Sequence, residues 1–239
     1  MLELRNVVKH YRAAGEEVPA IDGVSLTIAP GEIVAVQGPS GSGKTTLLLL
    51  SAALLKPERG TIHFAGRDIA ALSNDAACDF RFEQVGFIAQ ATRLMAHVSA
   101  VENAAMDLML GGVGMREAKA RATGWLQRVG LSDRLEHTPE QLSAGQRQRV
   151  AIAGALATDP RLILADEPTG NLDSAASLQI VELLAEIAHE QGACVLLVTH
   201  DAEAAVLADR CSTLRDGTLG EPAALNGAGA PRMPAADRA

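Results

Sequence analysis

Apolar and polar positions change rhythm along this chain, and the changes outline its architecture. Near the start, LELRNVV and GVSLTIAP alternate as half-buried strands do, with the polar stretch RAAGEEVP between them as a hairpin-like excursion. GEIVAVQG is a tighter apolar run, the pattern of a strand covered on both faces. It leads through GPSGSGKTT into a long apolar helix from Thr46, and GTIHFAG and VGFIAQ follow as two short strands. From Ala91 to about Ala157 the spacing shifts toward 3.6, through AVENAAMDLMLGG, MREAKARATGWLQRVG and QLSAGQRQRVAIAGAL. Strand-like runs then return as LILADE and CVLLVTH, interleaved with the helical SAASLQIVELLAEIAHEQG and DAEAAVLADR, and CSTLRDGTLGE reads as a closing hairpin. The pattern predicts an α/β core over residues 1–220, with a helical subdomain inserted at about 91–157. The segment 221–239 is rich in Ala, Gly and Pro without periodicity and is expected to be disordered.

Composition narrows the function classes. The 239 residues are 48% hydrophobic, enough for a sizeable core, and only 3% aromatic, which argues against base-stacking platforms. A net charge of −8 disfavours nucleic acid, whose phosphates need a basic footprint, so no nucleic-acid partner is expected. Cys78, Cys194 and Cys211 lack C-x-x-C spacing and read by default as small buried hydrophobes rather than disulfide or zinc residues. The longest apolar run, Leu47–Leu55, falls short of a membrane span, so the chain is expected to be cytoplasmic and to reach a membrane only through a partner.

Two stretches carry phosphate chemistry. Gly38-Pro39-Ser40-Gly41-Ser42-Gly43-Lys44-Thr45 fits G-x-x-x-x-G-K-[ST] at every fixed position, after a strand and before a helix. Its glycines let successive N–H groups and the helix start wrap an anion, while Lys44 reaches the outer phosphates and Thr45 helps hold Mg²⁺. LILADE brings Asp166 to the carboxyl end of a strand, where it can hold the metal through water, with Glu167 beside it to polarise a water. Taken alone, the two acids fit a helix cap or a solvated turn equally well. His200 ends LLVTH and is placed to contact the γ-phosphate and orient the water. Gln90 ends GFIAQ, either as an amide that senses Mg²⁺ or as an ordinary loop residue. Ser143 with Gln146 three residues on can be a plain capping box, and a capped helix start is also an anion site.

Together these residues resemble the ATP-binding cassette (ABC) subunit of a transporter, over about Leu2 to Leu219. The resemblance implies a P-loop ATPase core with an N-terminal antiparallel β subdomain, using ATP and Mg²⁺. It casts Gly38–Thr45 and Thr46 as the phosphate-binding Walker A, and Asp166–Glu167 as the end of Walker B. It makes Gln90 the Q-loop glutamine, Tyr11 the adenine-stacking aromatic, and His200 the switch histidine. Glu167, His200 and Gln90 would be catalytic, with Thr45, Gln90 and Asp166 toward the metal. The signature, Leu142–Gln146, and Asp173 would act on the ATP of a second copy, or of a homologous subunit, in a head-to-tail dimer. ADEPTGNLD, GEEVPAI and SAVENAAMDLML further resemble the lipoprotein-release and macrolide-export branch, which implies an FtsX-type permease and a place on the inner face of the membrane. The cell-division ATPase of that branch, a mechanical regulator without cargo, is the alternative. Ala89, Ala144 and Gly154 depart from the pattern: an aromatic, a glycine and an arginine are usual there, and Ala89 and Gly154 bear on the permease-facing groove.

Overall fold

The computed structural model describes residues 1–13, 16–221 and 223–224. β1 (Leu2–Ala13) and β2 (Glu16–Ile28) form an antiparallel ladder. Pairing continues through His10↔Pro19, Tyr11↔Val18 and Arg12↔Glu17, so the expected excursion is the outer end of the hairpin itself. It stays polar because Arg12 and Glu17 are exposed there, whereas Leu4 and Leu26 below them are buried.

β3 (Ile33–Gln37) leads into α1 (Lys44–Ser51), which has only eight residues. The long helix expected here ends early: Ala53 adopts a left-handed φ of 51°, and Pro57 follows, a residue whose neighbour resists helical angles. β4 (Arg59–Phe64) and β5 (Arg67–Asp68) complete a four-stranded sheet in the order β2-β1-β4-β5. α2 (Asn74–Gln84) is a helix the sequence pattern did not announce. It buries only Ala77 and Phe80, too few apolar positions to mark a period, but Ser73 caps it by accepting the Ala76 N–H at 3.3 Å. Cys78 lies exposed on this helix, against the expectation of burial; Cys194 is buried and Cys211 partly so.

After β6 (Val85–Ile88) come the helices of the inserted lobe, α3 (Ala100–Leu110), α4 (Met115–Arg128) and α5 (Ala144–Ala157). β7 (Leu162–Asp166), α6 (Ser174–Gln191), β8 (Cys194–Val198), α7 (Ala202–Val206), β9 (Arg210–Arg215) and β10 (Thr218–Leu219) finish the core. α7 is half the length its apolar positions suggested. β11 (Ala223–Ala224) pairs with β9 at Cys211 and Arg210, inside the segment expected to be disordered. The rest of that expectation, Pro222 and 225–239, lies outside the described residues.

The second sheet runs β10-β9-β3-β8-β7-β6, parallel from β9 to β6. Its central strands alternate between two cores. Val34, Leu164 and Leu196 face the β subdomain and α1, while Ala35, Ile163 and Leu197 face the helical side. Burial on both faces explains why these strands read as continuous apolar runs, each full-size side chain contributing about 1.5–3 kcal/mol. The parallel order also brings the carboxyl ends of β3, β6, β7 and β8 to one edge, where such sheets place ligands.

Gly154 is buried in the packing between α5 and α3. A Cβ there would sit 3.3 Å from the Ala104 Cα, so α5 meets α3 almost backbone to backbone. A side chain at this contact requires α3 to give by a few tenths of an ångström.

Candidate nucleotide-binding site

One cavity of about 520 Å³ opens at that edge. It is lined by Tyr11, Val18, Pro19 and Ala20 at one part, and by the phosphate loop, Gln90, Asp166, Glu167 and His200 at the other. Of the residues assigned to nucleotide binding, Tyr11, Gly38, Pro39, Ser40, Gly41, Gly43, Lys44, Thr45 and Thr46 all line it. Ser42 is instead buried, with its hydroxyl unpartnered among the described residues. Val18, Pro19 and Ala20 were missed in the sequence, because the outer hairpin that carries them shows no chemistry of its own.

The loop's shape depends on two glycines. A Cβ on Gly38 would stand 2.1 Å from the Leu214 carbonyl oxygen, and one on Gly43 would stand 2.0 Å from that of Ala20. Gly43 also takes φ 104°, a region side chains avoid, and it caps α1 without offering a side-chain acceptor. The first N–H groups of α1 are therefore left without a side-chain cap, next to the Lys44 ammonium. Lys44 donates to the Gly38 and Pro39 carbonyls at 2.8 and 2.9 Å, which folds the cation over the loop. Uncapped donors, a positive helix end and an ammonium make a site for a phosphate chain.

Thr45 donates from Oγ1 to Asp166 Oδ2 at 2.9 Å. Burial is the main force raising the Asp166 pKa; the Thr45 hydrogen bond opposes it, the Glu167 charge adds to it, and the Lys44 charge opposes it. A buried carboxyl that ionises reluctantly, paired with a hydroxyl, is a hard-oxygen donor set that fits Mg²⁺. Glu167 follows with φ 47°, held by its own N–H to the Val198 carbonyl at 2.9 Å. Its carboxylate accepts from the His200 backbone N–H at 3.2 Å, and lies 2.9 Å from the His200 ring Nδ1. The glutamate side chain is 9% exposed and the imidazole 73%, so a solvated histidine pins a buried carboxylate. The structure therefore places His200 first on Glu167. Gln90 is exposed at the cavity wall, just after β6.

The remaining candidates lie elsewhere. Ser143, Ala144, Gly145, Gln146 and Asp173 do not line the cavity. Ser143 and Gln146 form a full capping box, Gln146 N–H to Ser143 Oγ at 3.2 Å and Ser143 N–H to Gln146 Oε1 at 2.9 Å. Ala144 is the first helical residue of α5, exposed and without positive φ, so its methyl group introduces no backbone strain. Gly145 packs where a Cβ would be 3.0 Å from the Asn171 carbonyl oxygen. Asp173 caps α6 by accepting the Ala176 N–H at 2.9 Å.

Comparison with known proteins agrees with this geometry. Residues 21–170 match the family model described as ABC transporter. The chain is 44% identical over 219 residues to lipoprotein-releasing system ATP-binding protein LolD 2 of Caulobacter vibrioides, covering 92% of this chain and 96% of that protein. It is equally 44% identical to macrolide export ATP-binding/permease protein MacB of Hyphomonas neptunium, but spans only 34% of that longer protein. Its fold matches MJ0796, a cassette solved as a dimer in a post-hydrolysis state bound to ADP and Pi, with a TM-score of 0.90 at 38% identity over 95% of this chain and all of that one. The parallel sheet, the antiparallel subdomain and the helical lobe are the architecture expected. The chain belongs to the ABC transporter family, as its ATPase cassette.

Proposed function

We propose that two copies of this cassette close head to tail around two ATP molecules, and that hydrolysis drives a permease of the FtsX type in export of a lipoprotein, lipid or drug across the membrane. One observation carries the reading. The cavity brings the phosphate loop together with Gln90, Asp166, Glu167 and His200, while the capped, exposed start of α5 stands outside it. In the closed pair, that helix start supplies Ser143 and the amides of Gly145 and Gln146 to the partner's γ-phosphate, with its dipole aligned for an anion. Asp173, at the start of α6, lies beside the loop that packs on Gly145, and serves the same interface.

Within each site, Lys44 and the loop amides hold the β- and γ-phosphates. Thr45 and Asp166, with Gln90 nearby, would hold Mg²⁺, which would supply charge neutralisation at the phosphates. Glu167 takes a proton from water as its oxygen attacks the γ-phosphorus in line, and ADP leaves with the bridging electron pair. His200 keeps the carboxylate aimed by holding it from backbone and ring. Tyr11 stacks on the adenine. The names of the LolD and MacB relatives support an export permease as partner, which would hold this chain at the inner face of the membrane.

Glu167→Gln tests the reading. It removes the base and keeps the size, so ATP with Mg²⁺ should double the mass in analytical ultracentrifugation while turnover drops about 100-fold or more. A variant that hydrolyses at the parent rate, or stays monomeric, counts against it.

A further inference from the structure

Gln148 is fully buried in α5, five residues after the capping serine, and is the one polar residue among the buried positions of that helix. Its amide Nε2 donates to the carbonyl oxygen of Ala89 at 3.3 Å, and its Oε1 has no partner among the described residues. Ala89 lies between the end of β6 and Gln90 on the cavity wall. A buried amide with one half unsatisfied is unfavourable in an apolar core, whereas methionine of similar length buries no polar atom of its own and leaves only the carbonyl of the partly exposed Ala89 without its donor. Stability alone does not favour this residue. Its one bond joins α5 to the backbone that carries Gln90.

The neighbouring side chains also hold backbone carbonyls, each in a different direction. Arg147 donates to Leu142 at 2.6 Å and Pro139 at 3.3 Å, and Arg149 donates to Val129 at 3.3 Å. Those three bonds fix α5 within the helical lobe. Only the Gln148 bond reaches from this trio into the segment that enters the nucleotide cavity.

We propose that Gln148 is a positioning residue that links the two ATP sites of the dimer, by tying Gln90 of one site to the α5 start that serves the other. A shift of Gln90 when nucleotide fills its own cavity moves the Ala89 carbonyl. The amide bond carries that shift to α5, a rigid helix of 14 residues whose exposed end is Ser143. Occupancy of one site then biases the fit of the other, a coupling carried by one hydrogen bond and one helix. The link rests on the head-to-tail reading above, and the experiment keeps the two apart.

On the Glu167→Gln background, ATP-driven dimerisation is measured by analytical ultracentrifugation, and monomer affinity by titration with a fluorescent ATP analogue below the dimerising concentration. Gln148→Met removes the donor to Ala89 and also the unpaired oxygen, two effects that oppose each other, so its melting temperature should stay within a few degrees of the parent's. Monomer affinity should stay within twofold, while the ATP concentration for half-dimerisation rises about tenfold. In the hydrolysing protein, the Hill coefficient for ATP should fall toward one. Gln148→Glu, which keeps the shape and turns a second acceptor toward Ala89, should weaken dimerisation at least as much. If the Glu167→Gln parent never dimerises, the head-to-tail reading fails and the link with it. If the parent dimerises and both variants match it, the link alone is overturned. A Met variant that melts well below the parent assigns the amide to stability and also overturns the link.

Discussion

The phosphate loop and the start of α5 are both glycine-bearing turns that open a helix, yet they are built in opposite ways. At the loop, Gly43 caps α1 at φ 104° with no side-chain acceptor, so the helix end keeps its donors for a ligand. At α5, Ser143 and Gln146 satisfy each other, and Ala144 is helical and free of strain. The first end lies in a cavity, pressed against Ala20; the second is exposed. An uncapped end needs its anion to be complete. A capped end persists without one and can wait for a partner.

The strongest way to break this contrast is Gly43→Ala. A Cβ at 2.0 Å from the Ala20 oxygen displaces the loop, and nucleotide binding measured by calorimetry should be lost. Ser143→Ala should instead leave monomer binding intact, remove a cap worth about 1 kcal/mol, and cut turnover about tenfold. Mixing the two variants sharpens the point. Each mixed dimer joins an intact loop to an intact α5 start, so activity should return, and a mixture no better than its separate parts would place both groups on one site.

A smaller effect is expected at Asp166. Burial raises its pKa, so as pH rises through that raised value the folded chain must carry a charge the unfolded chain bears more easily, and stability falls. Asp166→Asn should therefore raise the melting temperature by a few degrees at neutral pH without nucleotide, with the gain shrinking in acid, while hydrolysis is lost. Scanning calorimetry at both pH values checks this. The smallest effect belongs to Ala144→Gly. An exposed first-turn position without positive φ should shift stability by under about 0.5 kcal/mol and turnover by less than twofold.

What the sequence made legible follows the same divide. Sites built on local order, such as the loop at Gly38–Thr45 and the Asp166–Glu167 strand end, could be read because each motif contains its own strand, turn and helix. The carboxylate–imidazole contact between Glu167 and His200 could not, since 33 residues separate them and β7 and β8 must pair first. α2 escaped because its two buried residues carry no period, although Ser73 was a usable capping signal. Gln148 was hidden in the polar run Gln146-Arg147-Gln148-Arg149, where nothing marks it as the buried member. A buried bond to a distant backbone leaves no sign in such a run, because its acceptor belongs to another element.

The contact between Gly154 and Ala104 has a consequence for how this chain can change. The glycine stands against the backbone of α3, not against a side chain that could be trimmed, so room at 154 depends on the spacing of the two helices. A Cβ at 154 would stand 3.3 Å from the Ala104 Cα, so α3 must yield by a few tenths of an ångström before any larger residue fits. Changes elsewhere in the lobe that let the two helices relax therefore set what position 154 tolerates, and tie its history to theirs.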